Sequence, residues 1–246
     1  DRKSRHALRK VKDQNAIVVA TGCYAQVAKK EIEQMPEIDI VLGNDEKKDI
    51  VKYVEKYIND IQKENGKLSE IADISQQKEF IDMGQITYTE KTRAVIKVQD
   101  GCNQFCSYCI IPYARGRVRS RKIESIIEEI SKIAQNGIKE VVITGIDVAS
   151  YGKDFDNENT SKKIRLIDLL EAINKIDGID RIRLSSLEPT IVDEEFATRL
   201  SKLDKICDHF HLSLQSGCDE TLKRMNRKYT TQIYRDAVAT LRKYYP

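Results

Sequence analysis

The sequence predicts a mixed α/β fold built from parallel strands that alternate with helices. Short runs of β-branched residues end at glycine or at polar residues, and longer amphipathic patterns separate them. Such alternation requires crossover connections, which place consecutive strands side by side in parallel. A group of cysteines directly after one strand is the third observation, because folds of this class bind ligands at the carboxyl ends of their strands.

The first alternation, residues 1–59, predicts a small α/β domain. Its expected elements are a basic helix at 1–12, strands at 16–21 and 38–42, and helices at 29–34 and 47–61. From 60 to 92 the pattern dissolves into polar residues with scattered apolar ones. We therefore expect a linker over residues 60–92, with an extended piece around Phe80–Tyr88.

The second alternation, residues 93–246, is more regular and predicts a partial β/α barrel. Its strands are expected at 94–99, 140–144, 181–185 and 210–214, and its helices at 123–136, 164–176, 193–203 and 232–244. Units of this kind form a parallel sheet through right-handed crossovers. The polar residues that follow the strands are therefore candidates for a functional site.

Composition limits the class of protein. The 246 residues carry 42 Lys and Arg against 39 Asp and Glu, and 40% of them are hydrophobic. No apolar run is long enough for a membrane span and no signal peptide is visible, so we expect a cytoplasmic protein without a membrane partner. We also expect a monomer. The chain starts without methionine inside a helical pattern, and we interpret it as a fragment truncated at both ends.

Three cysteines, Cys102, Cys106 and Cys109, follow the strand expected at 94–99, which fits a ligand cluster better than a disulfide framework. Three thiolates leave one iron of a cubane iron–sulfur cluster open, whereas structural zinc normally takes four ligands. A zinc knuckle completed by a distant residue and an accidental group of buried cysteines are the alternatives. Cys207 and Cys218 fit no ligand spacing and are interpreted as structural.

The Cys-x-x-x-Cys-x-x-Cys spacing, with Tyr108 before its last cysteine, resembles the signature of radical S-adenosylmethionine (SAM) enzymes. The flanks Val98–Cys102 and Ile110–Arg121 are similar to those of the methylthiotransferase family. Further segments agree with that family at 144–147, 183–189 and 211–217. Within the family, the chain most resembles the branch that modifies threonylcarbamoyladenosine in tRNA.

This resemblance implies a radical SAM barrel preceded by a methylthiotransferase N-terminal α/β domain. It implies a catalytic 4Fe-4S cluster on Cys102, Cys106 and Cys109, whose open iron binds SAM and whose electron releases a 5′-deoxyadenosyl radical. The implied reaction replaces the C2 hydrogen of N6-threonylcarbamoyladenosine, beside the tRNA anticodon, by a methylthio group. The implied partners are the tRNA substrate and an electron-donor protein.

The resemblance also implies contacts with SAM at the strand ends. The residues expected to make them are Tyr108, Gly145, Ser186, Glu188 and Gln215. The turn at 144–147 occupies the place of a Gly-Gly-Glu turn that receives the methionyl ammonium, so backbone carbonyls near Gly145 are expected to take that role. From the residues alone, a polar side chain at a strand end is equally well explained as a cap of the next helix.

Cys23 follows the strand expected at 16–21 through Gly22. By the same resemblance it is the last of three ligands of a second, auxiliary 4Fe-4S cluster that supplies or carries sulfur. The other two ligands would precede Asp1, so this cluster is expected to be incomplete in the chain. Without the resemblance, a lone cysteine at a strand end is usually a small buried apolar residue.

A basic run lies just beyond the cysteine group. Its arginines, expected to contact RNA phosphates, are Arg115, Arg117, Arg119 and Arg121. The alternatives are a solvated face, or an ion pair between one of them and the SAM carboxylate.

Other functions also fit the sequence. Methylthiolation of isopentenyl-adenosine in tRNA, or of a ribosomal-protein aspartate, is the same chemistry on another substrate. A non-catalytic, zinc-dependent RNA-binding module belongs to a different class. Metal content distinguishes the classes, since an enzyme of this type holds iron and sulfide and the module holds zinc.

Overall fold

The structure is a computed structural model that describes residues 2–10, 16–61, 66–82, 84, 92–157 and 163–246. It is a mixed α/β protein, as predicted. The chain divides into two compact units. The first consists of Asp1–Gln77 and Ile110–Gly116, and the second of Lys78–Cys109 and Arg117–Pro246. No helix in the described ranges is long and apolar enough to cross a membrane.

A three-stranded parallel sheet lies at the centre of the first unit. Its strands, β1 (Val19–Thr21), β2 (Ile40–Leu42) and β3 (Leu68–Glu70), lie side by side in that order. Every residue of β2 is buried, as expected for the central strand of a parallel sheet covered on both faces. The helices are α1 (Arg2–Lys10), α2 (Cys23–Val27), α3 (Lys29–Glu33), α4 (Ile50–Lys56) and α5 (Ile111–Ala114). Short 3₁₀ turns at Glu46–Asp49 and Ile74–Gln76 and a π turn at Tyr57–Ile61 complete the unit.

Strand β3 lies inside the segment 60–92, where the sequence indicated a linker. Its residues, Leu-Ser-Glu, show no strand periodicity, and pairing with β2 places Leu68 in the core. A strand of three residues cannot be predicted from its own sequence, because it forms only by pairing with a neighbouring strand. The extended piece expected around Phe80–Tyr88 falls mostly outside the described residues.

The second unit is built on a four-stranded sheet. Its strands are β4 (Arg93–Asp100), β5 (Arg119–Ser120), β6 (Glu140–Gly145) and β7 (Arg181–Leu184), in the order β5-β4-β6-β7. Strands β4, β6 and β7 are parallel, and β5 pairs antiparallel with β4. The helices are α6 (Ile123–Gln135), α7 (Leu166–Asn174), α8 (Glu194–Leu200), α9 (Asp219–Arg224) and α10 (Thr231–Tyr244).

The helices of this unit bury apolar stripes against the parallel strands. Helix α6 contributes Ile126, Ile130 and Ile133, which recur at helical spacing and join the same core as the inward residues of β4 and β6. Burying a side chain of this size contributes about 1.5–3 kcal/mol to stability. The core therefore fixes the direction of the strands, whose carboxyl ends carry the site.

The strand expected at 210–214 does not form. Among the described residues, Leu212 makes only an isolated parallel bridge with Leu187. Leu187, the pairing residue, lies beyond the end of β7 at Leu184. Pro189 has no N–H to donate, so the pairing with residues 210–214 cannot extend into a regular strand. Two hydrogen bonds still hold the segment parallel to its neighbour: Leu187 N donates to His211 O at 2.8 Å, and Ser213 N to Leu187 O at 2.9 Å.

Candidate functional site

The three clustered cysteines lie on one loop, which begins where β4 ends. Gly101 and Phe105 adopt positive φ values of 70° and 50°, and these left-handed residues fold the loop back on itself. Cys102 and Cys106 are buried, and Cys109 is half-buried. The N–H of Cys109 donates to the carbonyl of Cys106 at 3.0 Å, so a tight turn joins the last two cysteines.

Gln99, a fully buried side chain, ties this loop to the end of β6. Its Nε2 donates to the carbonyls of Asp100 and Gly101 at 2.6 and 2.7 Å, and its Oε1 accepts from the N–H of Asp147 at 2.8 Å. A Cβ at Gly145 would lie 2.8 Å from Gln99 Oε1 and 3.1 Å from its carbonyl oxygen. Residue 145 is therefore glycine because two strand ends approach closely at this point.

The thiol of Cys102 lies in a protected and negatively polarised environment. Its Sγ accepts from the N–H of Gln104 at 3.4 Å and lies 3.9 Å from Asp147 Oδ2. Burial raises the pKa of Cys102 to about 11, and Asp147 and the other two thiols of the loop add to the rise. Near neutral pH this thiol keeps its proton until a metal replaces it, because metal binding requires the thiolate.

A second loop, Met225–Tyr229, holds the cysteine loop from another side. The N–H of Ser107 donates to Met225 O at 3.1 Å, and Asn226 Nδ2 donates to Phe105 O at 2.9 Å. Asn226 itself has a positive φ of 58°. Sequence reasoning missed this loop, because it follows no predicted strand and its polar residues have no periodicity.

Arg227, on that loop, contacts a cysteine directly. Its Nη1 donates to Cys106 Sγ at 3.0 Å, and its Nη2 pairs with Glu188 Oε1. The guanidinium carbon lies 5.2 Å from the ring centre of Tyr229, whose hydroxyl donates to Ser213 O at 2.6 Å. The side chain of Arg227 is only 6% exposed, so this charged fork is fixed by packing as well as by hydrogen bonds.

The residues predicted to contact SAM lie in separate small groups. Tyr108 Oη donates to Gln215 Oε1 at 3.2 Å, and Gln215 adopts a positive φ of 61°. Ser186 Oγ lies 2.9 Å from His211 Nδ1, and both residues are exposed. Glu188 makes no capping hydrogen bond to the 3₁₀ turn that follows it, so the capping alternative fails at this position.

Cys23 lies in the first unit, directly after β1. Gly22 has a positive φ of 100°, and Cys23 begins helix α2 with its side chain half-buried. Arg115 Nε, from the same unit, donates to Cys23 Sγ at 3.2 Å. The first arginine of the basic run therefore contacts a cysteine sulfur.

Arg117 belongs to the second unit and remains accessible. It is exposed, and its guanidinium carbon lies 4.4 Å from the ring centre of Phe105 on the cysteine loop. Stacking of this kind holds a guanidinium in place while leaving its outer face free for a ligand.

The structure disfavours the RNA contacts predicted for Arg119 and Arg121. Arg119 is 1% exposed and lies 3.9 Å from Asp100 Oδ2, opposite it in the β4–β5 pair. Arg121 is 5% exposed, pairs with the buried Glu129 and lies 3.1 Å from Asp82 Oδ2. Both guanidiniums face carboxylates inside the unit and neither is exposed, which favours a structural role over a phosphate contact.

These features place the chain in a known class. Residues 96–246 match the Radical SAM superfamily, and the chain belongs to that superfamily. The fold agrees: the structure of the cobalamin-dependent S-adenosylmethionine radical enzyme OxsB aligns with a TM-score of 0.58 over 97% of this chain and 36% of that one, at 13% identity.

Among curated proteins, the threonylcarbamoyladenosine tRNA methylthiotransferase MtaB of Aquifex aeolicus is 42% identical over 240 residues, which are 97% of this chain and 56% of that protein. The tRNA-2-methylthio-N(6)-dimethylallyladenosine synthase of Clostridium novyi is 37% identical over 96% of this chain and 51% of that protein. The chain thus spans about half the length of these relatives.

Membership of this superfamily implies a 4Fe-4S cluster and SAM as cofactors. The residues fit the cluster. Three thiols share one loop, and two of their sulfurs accept from donors: Cys102 from the N–H of Gln104 and Cys106 from Arg227 Nη1. Such donors stabilise the thiolates that a cluster requires. No three His, Cys, Asp or Glu side chains in the described ranges are arranged to hold one ion. Thiolates that bind three different irons of a cubane do not need to converge on one point.

Proposed function

We propose that the chain is part of a radical SAM methylthiotransferase that converts N6-threonylcarbamoyladenosine beside the tRNA anticodon to its 2-methylthio derivative. The observation that carries this proposal is the 42% identity to the Aquifex enzyme over 97% of the chain, which includes the cysteine loop after β4. The match to the dimethylallyladenosine synthase is weaker at 37%, so that substrate is the second candidate.

In this proposal, Cys102, Cys106 and Cys109 hold the catalytic cluster. When bound, the cluster supplies the electron that cleaves SAM, and SAM supplies the radical and the methyl group. The protein contributes position and exclusion of water. Burial of Cys102 and Cys106 protects the cluster, and Gln99 fixes the loop against the end of β6.

We assign SAM contacts to the residues expected from the sequence, which are Tyr108, Gly145, Ser186, Glu188 and Gln215. The carbonyls near Gly145 are assigned to the methionyl ammonium, since this turn lies at the end of β6 beside the cysteine loop that Gln99 holds. Tyr108, 55% exposed, and Gln215 offer a hydroxyl and an amide to the adenosine end. Glu188 already pairs with Arg227, so it would contact SAM while it keeps that ion pair.

The second unit and the first have different tasks in this proposal. Cys23 is one ligand of an auxiliary 4Fe-4S cluster that delivers sulfur, with Arg115 donating to its sulfur. Arg117 contacts tRNA, since it is exposed beside the cysteine loop. A reductase protein supplies electrons, and we place the protein in the cytoplasm as a monomer.

Two measurements test the proposal. Anaerobically reconstituted protein should contain iron and acid-labile sulfide. Protein that contains only zinc would overturn the proposal that the chain is part of a radical SAM enzyme. Nucleosides of tRNA from a strain without the gene should lack 2-methylthio-N6-threonylcarbamoyladenosine, and a plasmid copy should restore it. Loss of the dimethylallyl derivative instead would favour the second candidate, and unchanged tRNA would exclude both.

A further inference from the structure

We infer that Arg227 is a positioning residue that sets the reduction potential of the cluster on the cysteine loop, and that Glu188 opposes it. The inference rests on the proposed function only in that Cys102, Cys106 and Cys109 hold the cluster. It concerns residues that do not bind the metal themselves. Arg227 lies about 120 residues from the loop in sequence and follows no strand of the sheet.

The first step is that Arg227 is held in place independently of any bound group. Its neighbours Met225 and Asn226 make backbone and amide hydrogen bonds to Ser107 and Phe105, on both sides of Cys106. Three consecutive residues of one loop therefore contact three consecutive residues of the other. Because the two loops are held in register, one terminal nitrogen of the guanidinium lies against the Cys106 sulfur and the other pairs with Glu188.

The second step concerns charge. A reduced cluster carries one more negative charge than an oxidised one, and a donor or cation at a thiolate ligand stabilises the more negative state. Arg227 Nη1, 3.0 Å from Cys106 Sγ, is such a donor and raises the potential. Glu188, on the other terminal nitrogen, partly neutralises that charge and lowers the potential.

The third step is that water screens the charge of Arg227 only weakly. Its side chain is 6% exposed, and Cys106 and Glu188 engage its two terminal nitrogens. Charges interact more strongly in such a buried setting than they do in water. The effect of this charge on a group held by Cys106 is therefore expected to persist at physiological ionic strength.

The experiment measures the midpoint potential of the cluster in anaerobically reconstituted protein, followed by electron paramagnetic resonance without SAM or tRNA. The background variant Cys23→Ala leaves one cluster to contribute the signal. In Arg227→Gln we expect the ratio of reduced to oxidised cluster at a fixed potential to fall about tenfold, which is about 59 mV for a one-electron couple. In Glu188→Gln, which keeps Arg227, we expect a smaller shift in the opposite direction.

The matched control is Arg224→Gln. Arg224 lies three residues earlier, is exposed on α9 and touches only Thr221 among its described contacts, so its loss removes the same charge without touching the cluster. Shifts of Arg227→Gln and Glu188→Gln that equal the control, or that share one direction, overturn the inference. If Arg227→Gln does not assemble a cluster, Glu188→Gln decides by itself: a raised potential supports the inference and an unchanged one overturns it. Wild-type protein without a reducible cluster overturns the proposed function together with the inference.

Discussion

Two turns of this chain have the same local design and different contents. In each, a strand of a parallel sheet ends at a glycine with positive φ, and a cysteine follows: Gly22-Cys23 after β1, and Gly101-Cys102 after β4. In each, an arginine donates to a cysteine sulfur, Arg115 to Cys23 at 3.2 Å and Arg227 to Cys106 at 3.0 Å. The two turns therefore share this local arrangement and differ in the number of cysteines that they contain.

That difference decides what each turn can do with its own residues. The turn after β4 supplies three thiols within one loop, whereas the turn after β1 supplies one within the described residues. In the proposed function, the first turn holds an iron–sulfur cluster with its own three thiols, and the second supplies one ligand and depends on others from elsewhere. Predictions that separate the two turns follow, starting with the largest effect.

The change Cys102→Ala should abolish cluster assembly and SAM cleavage. Two thiolates do not retain a cubane, so iron bound by the catalytic loop and 5′-deoxyadenosine formation should both fall to background. Cys207→Ala is the control, because Cys207 lies in neither turn and should change neither measurement. Normal 5′-deoxyadenosine production by Cys102→Ala would show that the three thiols of the turn after β4 are not needed for a catalytic cluster.

In the intact protein, the change Cys23→Ala should uncouple the reaction. The catalytic loop keeps its three thiols, so 5′-deoxyadenosine should still form, while the methylthiolated nucleoside should be absent because no sulfur donor is positioned to capture the substrate radical. Iron content should fall only in part. The control is Cys218→Ala, an exposed cysteine. Full methylthiolation by Cys23→Ala would reduce Cys23 to a packing residue.

The change Gly145→Ala tests how the β4 turn is held. The added Cβ would lie 2.8 Å from Gln99 Oε1, so we expect a loss of about 1–3 kcal/mol in the free energy of unfolding, measured with urea. Gly217→Ala is the matched control, since nothing lies within 4 Å of its Cβ position. Equal stability of the two variants would show that Gln99 does not fix the turn.

The smallest effect is expected from Arg117→Gln, which removes a cation beside the β4 turn. Each lost phosphate contact flattens the dependence of log K on log salt by about 0.7 for single-stranded RNA, so tRNA binding should weaken and its salt slope should fall by no more than that. Arg224→Gln is the control, because Arg224 is exposed on α9 and lies outside the basic run. If both variants and the wild type have the same salt slope, Arg117 does not contact tRNA and is simply a solvated surface residue.

The sequence predicted the parts of this molecule that have long periodic patterns. The mixed α/β fold is confirmed, and the strands 94–99, 140–144 and 181–185 correspond to β4, β6 and β7 within about a residue at each end. Sequence periodicity does not predict strands that form only through pairing with a neighbouring strand. Strand β3 has three residues and β5 two, and both exist only because a neighbouring strand supplies their hydrogen bonds.

The same limit applies to the site. Cysteine spacing located the loop, because that spacing is a property of the sequence itself. The burial of Arg119 and Arg121 depends on β5 and on the partners Asp100 and Glu129, which no charge count reveals. Arg227 was missed for a related reason: its contact with Cys106 joins residues far apart in sequence through a loop without regular structure.

The division of the chain has a consequence for how the protein is made. Helix α5 belongs to the first unit, where Asn44 Nδ2 donates to Ala114 O at 2.6 Å and Gly116 packs against the carbonyl of Ile74. During synthesis, these contacts cannot form until β4 and the whole cysteine loop have left the ribosome. The first unit therefore cannot complete its contacts before residues 78–109 of the second unit have been synthesised, and a fragment that ends at Gln77 would lack part of its own core. Such delayed, non-local contacts slow folding.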